Sequence, residues 1–254
     1  MLPKYVPPSH AAPLDLRSPF LKVKRAKDHI SNLEIKRADI MTKRYIGIPK
    51  FDPETNSTEF VLGDVPDLDP DISLLLGDIA HNLRAALDYV ACELCRSVGV
   101  KEPRVYFPIC EDDQVYKRES GGRTVGMPKE AKNFIDRIGP YGGHNDFLWA
   151  LHELDRIDKH RLVIPIAKKS TSWTISGDRV GRKYGFSFCE LKAGAVIGFA
   201  EGGNFESDKE MGVTPDIAFG EPEVIEGELV FPNLYIMVNM VEEIVTAFGP
   251  NPLQ

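Results

Sequence analysis

The sequence predicts an α+β protein: an N-terminal bundle of long helices with an inserted β-hairpin, a C-terminal antiparallel β region, and a final helix that docks back. Three observations carry that expectation. Apolar residues recur at helical spacing over two long early segments, about 18–44 and 69–99. From Leu162 onward the pattern changes to short runs of strand character. The last segment, about Leu234 to Phe248, returns to helical spacing through Ile236, Met237, Val241, Ile244 and Val245, and is apolar enough to need a groove.

Residues 1–16 hold four prolines and no periodic pattern, which predicts an extended arm. Leu21, Ala26, Ile30, Leu33, Ile40 and Met41 mark the first long helix. Tyr45-Ile46-Gly47-Ile48 and Phe60-Val61-Leu62 flank a polar stretch from Asp52 to Ser57, the pattern of a hairpin. Asp69-Pro70-Asp71 supplies a helix start, and Gly99 a stop. After Tyr106-Phe107-Pro108-Ile109 a polar, glycine-containing loop is expected through Gly126. Pro128 opens a short helix to about Ile138, which Pro140-Tyr141-Gly142-Gly143 breaks, and a further helix runs from Asn145 to Ile157 with Phe147, Leu148, Leu151 and Leu154 inward. Strands are expected over Leu162–Ala167, Ser172–Ile175, Tyr184–Cys189, Ala195–Ala200 and Val224–Phe231. The organisation is therefore an arm (1–16), a helical region (17–161), a β-rich region (162–232) and a terminal helix (233–254) packing back on the rest.

Composition sets outer bounds. With 254 residues, 43% hydrophobic and 27% charged, the chain reads as an ordinary globular protein. No apolar run approaches the ~20 residues of a membrane span, and no secretory pattern opens the chain. A cytoplasmic protein without a membrane partner is expected, with its four cysteines as reduced thiols. The net charge of −7 argues against indiscriminate nucleic-acid binding. Charge is nonetheless uneven: residues 17–50 carry ten Lys or Arg against three acids, and residues 51–80 carry eight acids and no Lys or Arg. Mutual neutralisation within one domain is the first reading, and a phosphate-binding surface the second.

The densest chemistry lies on the second long helix. Leu76, Ile79, Leu83, Ala86, Leu87, Val90 and Leu94 form one apolar face at ~100° per residue. His81, Arg84 and Asp88 fall on the opposite stripe together with Leu74, Ala85, Cys92 and Cys95, so that stripe is expected to be covered as well. Buried together, the three polar groups require partners, either as a catalytic set or as a structural one with an Arg84–Asp88 ion pair and His81 on a backbone carbonyl. A second cluster, Asp155, Asp158, Lys159, His160 and Arg161, sits where helix gives way to strand. It either completes a site with His81 and Arg84 or complements the helix C-terminal dipole.

The pattern Gly77-Asp78-x-x-His81-Asn82-Leu83-Arg84-x-x-Leu87-Asp88, followed by Phe107-Pro108-Ile109 and Asp158-Lys159-His160-Arg161, resembles a widespread group of uncharacterised bacterial proteins over roughly residues 18–165. Its second helix in turn resembles the motif helix of the HEPN superfamily. Members of that superfamily are all-helical, often dimeric, and frequently metal-independent ribonucleases of toxin and phage-defence systems. Their motif is an Arg, then a polar residue, then a His after four to six intervening positions. Arg84 matches the arginine; Ala85 stands at the polar position and Tyr89 at the nearest histidine position. His81 or His160 would supply the missing imidazole where the fold brings it close.

The resemblance implies a metal-independent ribonuclease, or a degenerate relative of one, in a defence or toxin setting. His81 or His160 would take the ribose 2′-hydroxyl proton, Arg84 and Lys159 would meet charge developing on phosphorus, and Asp88 would orient the histidine or hold Arg84. Asp158 and Arg161 belong to the same expected set. His29, Asn82 and Tyr89 are binding candidates, with RNA guided along the basic first helix. No cofactor or metal is expected on this route. Two alternatives stand beside it. One is a non-catalytic homodimer that binds RNA or a protein partner. The other is a metal-binding hydrolase built on Cys92-x-x-Cys95 with His81 and Asp88, although Cys110 and Cys189 stand alone and no second pair completes a zinc site.

Overall fold

Helix α1 (Arg17–Thr42) leads into a hairpin of β1 (Tyr45–Asp52) and β2 (Ser57–Leu62), and helix α2 (Pro70–Arg96) follows in this computed structural model. Next come α3 (Asp113–Arg123), α4 (Lys129–Ile138) and α5 (Asp146–Asp158). The chain continues through β3 (Pro165–Ile175), β4 (Tyr184–Phe186), β5 (Val196–Glu201) and β6 (Met211–Phe219), and ends in α6 (Val230–Phe248). The structure describes residues 2–101, 103–175, 184–187, 190–202 and 211–253. Cys189, at the end of one expected strand, and Gly203 lie outside them. The class is α+β, and no helix of the described residues is long and apolar enough to cross a membrane.

The chain divides into two compact units. One comprises residues 1–32, 73–163 and 231–254, and the other residues 33–72 and 164–230. Among the described residues the second unit holds every strand. They form one antiparallel, six-stranded sheet in the order β3-β6-β1-β2-β5-β4, so the inserted hairpin occupies the middle of the sheet. Phe60, Leu62, Ile197, Ala200, Met211 and Val213 fill one buried cluster. The hairpin turn is held by Asp52, whose carboxylate accepts from the Glu54 amide (2.9 Å) and the Thr55 hydroxyl (2.8 Å). Charge neutralisation takes the local form expected: Lys36 reaches Asp69 (2.7 Å) and Asp71 (2.9 Å) of the acidic stretch.

β6 was not legible as a strand because Pro215 and Asp216 interrupt it. Both are accommodated. β6 pairs with β1 only over Met211–Val213, so Pro215 lies beyond that ladder, next to a register shift in the β3 pairing, where a missing N–H is tolerated. Asp216, 2% exposed, receives both Arg37 Nε (2.8 Å) and Nη2 (2.7 Å). The strand expected over Val224–Phe231 is not formed. A 3₁₀ turn covers Glu223–Ile225, Gly227 turns the chain at φ 77°, and Val230 already begins α6. Pro232 fits in the first turn of α6, where its N–H would have had no helical partner.

In the first unit the apolar face of α2 is as expected, with Leu76, Ile79, Leu83, Ala86, Leu87, Val90 and Leu94 all buried. On α1 the buried positions are Phe20, Val23, Ala26 and Ile30, while Leu21 is exposed. Part of the loop expected up to Gly126 is helix α3, capped by Asp112 accepting from the Val115 amide (2.7 Å) and laced by Asp113–Lys117 and Glu119–Arg123 pairs. It buries only Tyr116, so periodicity gave no signal. The N-terminal arm is irregular but packed. Tyr5 is buried, its amide donates to the Ala247 carbonyl of α6 (2.8 Å), and its ring meets Phe248 and Phe134.

Candidate functional site

Helices α2 and α5 meet through three successive rungs, all within the first unit. Gly77 faces Asp158, His81 faces Asp155 and Arg84 faces His152. Residue numbers rise along α2 as they fall along α5, so the two helices run antiparallel at this contact. The first rung rests on the absence of a side chain. A Cβ built on Gly77 would lie 1.9 Å from Asp158 Oδ1, so only glycine lets that carboxyl rest against the α2 backbone.

At the second rung His81 Nδ1 lies 3.0 Å from Asp155 Oδ1, and Lys159 Nζ lies 2.5 Å from Asp155 Oδ2. Asp155 is 2% exposed, whereas the His81 side chain is half exposed. An ionised carboxylate only accepts, so Nδ1 carries the proton and Nε2 presents its lone pair away from Asp155. Among the described residues Nε2 has no hydrogen-bond partner. Of the two expected settings, the structural one placed His81 on a backbone carbonyl; it sits instead half exposed, bonded to a buried carboxylate. The Asp158 side chain makes no hydrogen bond among the described residues. Burial, then the nearby Asp78 and Asp155 charges, push its carboxyl pKa up against the opposing pull of His81 and Lys159.

The third rung is interior. Arg84, 4% exposed, donates from Nε to His152 Nδ1 (3.3 Å), from Nη1 to Asp88 Oδ1 (2.6 Å) and from Nη2 to the Phe107 carbonyl (2.8 Å). Asp88 Oδ1 also accepts from the Phe107 amide (2.9 Å). The Arg84–Asp88 pair thus grips both backbone groups of Phe107 and ties Phe107-Pro108-Ile109 to α2. Burial raises the Asp88 pKa, and Arg84 and the Phe107 amide hold it down. Burial, followed by the Arg84 charge, lowers His152 to about 4, so it stands neutral and accepts from Arg84.

The remaining expected residues are dispersed. Asn82 is buried, donating to the Asp78 carbonyl (2.7 Å) and accepting from Lys22 Nζ (3.1 Å), which joins α1 to the His81 turn. Tyr89 is 41% exposed, one turn beyond Arg84 and outside the bonded set. His160 and Arg161 are exposed at the C-terminal end of α5, with Arg161 Nη1 3.5 Å from the Leu162 carbonyl. His29 is buried on α1 with no partner for Nδ1 among the described residues, and no hydrogen bond links it to the cluster. The expected cover over the α2 stripe holds at Arg84 and Cys95 and fails at Leu74, which is 50% exposed.

His152 was not among the expected catalytic and binding residues, and Asp155 was expected only as a member of the second charged cluster, yet each supplies a rung. Their signal is spacing: His152, Asp155 and Lys159 share the α5 face that carries Asp158. The cysteines offer no support for metal chemistry. Burial raises the Cys92 and Cys95 thiols, Cys95 to about 11, and among the described residues no three of His, Cys, Asp and Glu converge as ligands. The ≈ 1030 Å³ groove of this unit is lined elsewhere, by the arm, α1 and α6, and His81 does not line it. No family model, no curated protein and no solved structure matches the chain.

Proposed function

We propose that this protein cleaves RNA by metal-independent transesterification at the His81 surface, as a HEPN-like protein of a bacterial defence or toxin system. The observation that carries the reading is the His81–Asp155 pair, a half-exposed imidazole whose Nδ1 is held by a buried carboxylate at 3.0 Å. Such a pair fixes the tautomer and leaves Nε2 as a base for a 2′-hydroxyl. Lys159, with Arg161 one step along, supplies positive charge beside it for the phosphodiester. An open surface suits a polymer substrate better than an enclosed pocket would. The likeness of the Gly77–Asp88 helix to the HEPN motif helix supports the same reaction class. In this reading Arg84 and Asp88 hold the scaffold, since their hydrogen-bonding groups are engaged with His152, with Phe107 and with each other.

The test is incubation of the purified protein with a mixed RNA pool, with and without EDTA, beside His81→Gln. Chelator-resistant cleavage leaving 2′,3′-cyclic phosphate ends, lost in the variant, is the expected result. Absence of cleavage by the wild type, or full cleavage by His81→Gln, overturns the reading. A second reading, a non-catalytic homodimer, is favoured by one observation: Leu74 and Tyr89, 50% and 41% exposed, flank His81 on the same side of α2. For that reading, sedimentation should give a dimer that Leu74→Asp converts to monomer, with no cleavage by either form.

A further inference from the structure

The base proposed at His81 needs a partner. Expulsion of a 5′-alkoxide from phosphorus is slow unless a proton reaches the leaving oxygen, and Lys159, bound to Asp155, is poorly suited to that task. Asp158 has the opposite character. Its carboxyl lies against Gly77, one helical turn along α2 from His81, a step of about 6 Å between Cβ positions. Its side chain makes no hydrogen bond among the described residues, although Lys159, its neighbour in sequence, is charged and within reach of the cluster. Asp155 and Asp216, both buried, are paired, whereas Asp158 is only partly buried. Asp158 is pressed into a niche that a side chain at residue 77 would fill, among the acids Asp78 and Asp155.

Resting on the RNA-cleaving reading above, we infer that Asp158 is the general acid of the reaction, delivering its proton to the leaving 5′-oxygen while His81 removes the proton of the 2′-hydroxyl. The 2′-oxygen forms its bond to phosphorus as the bond from phosphorus to the 5′-oxygen breaks. The products are a 2′,3′-cyclic phosphate and a 5′-hydroxyl. His81 is left protonated and Asp158 ionised, and exchange with water restores both. Burial and the nearby Asp78 and Asp155 charges push the Asp158 carboxyl above its ordinary range, the direction a general acid needs.

A leaving group that departs without a proton separates the two roles. Wild type, His81→Gln and Asp158→Asn are assayed on an ordinary RNA dinucleotide and on its analogue with sulfur at the bridging 5′ position, whose thiolate leaves unprotonated. Asp158→Asn should lose about 10²–10⁴-fold on the oxygen substrate and stay within about tenfold of wild type on the sulfur one. His81→Gln should be slow on both. Recovery on sulfur also shows that Asp158→Asn is folded. Equal loss on both substrates, or wild-type rates on oxygen, overturns the role of Asp158 and leaves His81 standing. Wild-type failure on both substrates overturns the RNA-cleaving reading and this inference with it.

Discussion

Gly77→Ala in the middle of α2 tests the helix contact directly, because two opposing effects act on one atom. In an ordinary helix interior the exchange stabilises by about 1 kcal/mol, since glycine loses more backbone freedom on folding. Here the added Cβ would stand 1.9 Å from Asp158 Oδ1 and 2.4 Å from its Cγ, far inside contact distance. Forcing a methyl into an occupied niche costs typically about 1–3 kcal/mol, the lower end if the carboxyl swings aside. The single variant should therefore range from neutral to about 2 kcal/mol less stable. In an Asp158→Ala background the clash is gone, and Gly77→Ala should stabilise by about 1 kcal/mol. The double-mutant cycle, measured by urea unfolding at pH 7, is expected to give a coupling of about 1–3 kcal/mol. Additivity within about 0.5 kcal/mol would show that Asp158 does not rest on Gly77 and would remove the first rung.

Arg84→Ala leaves Asp88 and the Phe107 carbonyl without their donor in a buried setting and should cost about 3 kcal/mol or more in urea unfolding; a loss below about 1 kcal/mol would contradict the structural grip. His152 has a folded pKa near 4, below its ordinary value of 6.5, so the unfolded chain binds more protons between those pH values. Its contribution is present above pH 6.5 and lost as pH falls toward 4, by at most roughly 3 kcal/mol, and His152→Gln should flatten that slope in unfolding curves measured across the window. Tyr5→Phe removes a buried hydroxyl that has no hydrogen-bond partner among the described residues, so it should raise stability by about 1 kcal/mol; a loss of that size would reveal a partner for the hydroxyl.

The α+β class was readable because periodicity is a local property: the helical faces of α2, α5 and α6 and the hairpin all announce themselves within a few residues. What escaped depends on distant residues. Pro215 and Asp216 look like strand breakers until Arg37, far away in sequence, neutralises the carboxylate and the β1 ladder is seen to stop short of the proline. Val224–Phe231 carries strand-like residues that the turn at Gly227 and the early start of α6 override. At the candidate site the sequence marked the Gly77–Asp88 stripe and a second cluster of Asp155, Asp158, Lys159, His160 and Arg161. It could not say that Gly77 answers Asp158 or that Asp155 answers His81, because an antiparallel register between helices is set by packing across the whole interface.

That register separates two kinds of polar residue that share one stripe of α2. At Arg84 and Asp88 charge is enclosed and hydrogen-bonded to Phe107 and His152, so its removal damages the scaffold whatever the protein does. At His81, one turn toward the start of α2, and at Asp158 of α5, set against Gly77 a further turn along, polar groups with unused hydrogen-bonding capacity are aimed by buried or closely packed neighbours. An activity lost with Arg84 would accordingly carry little information about chemistry, since the aim of His81 depends on the same pair of helices. An activity lost with His81, in a protein that unfolds at the wild-type urea concentration, would carry a great deal. Half-exposed and bonded by one nitrogen to Asp155, His81 is the residue of the stripe whose loss should touch chemistry while sparing the fold.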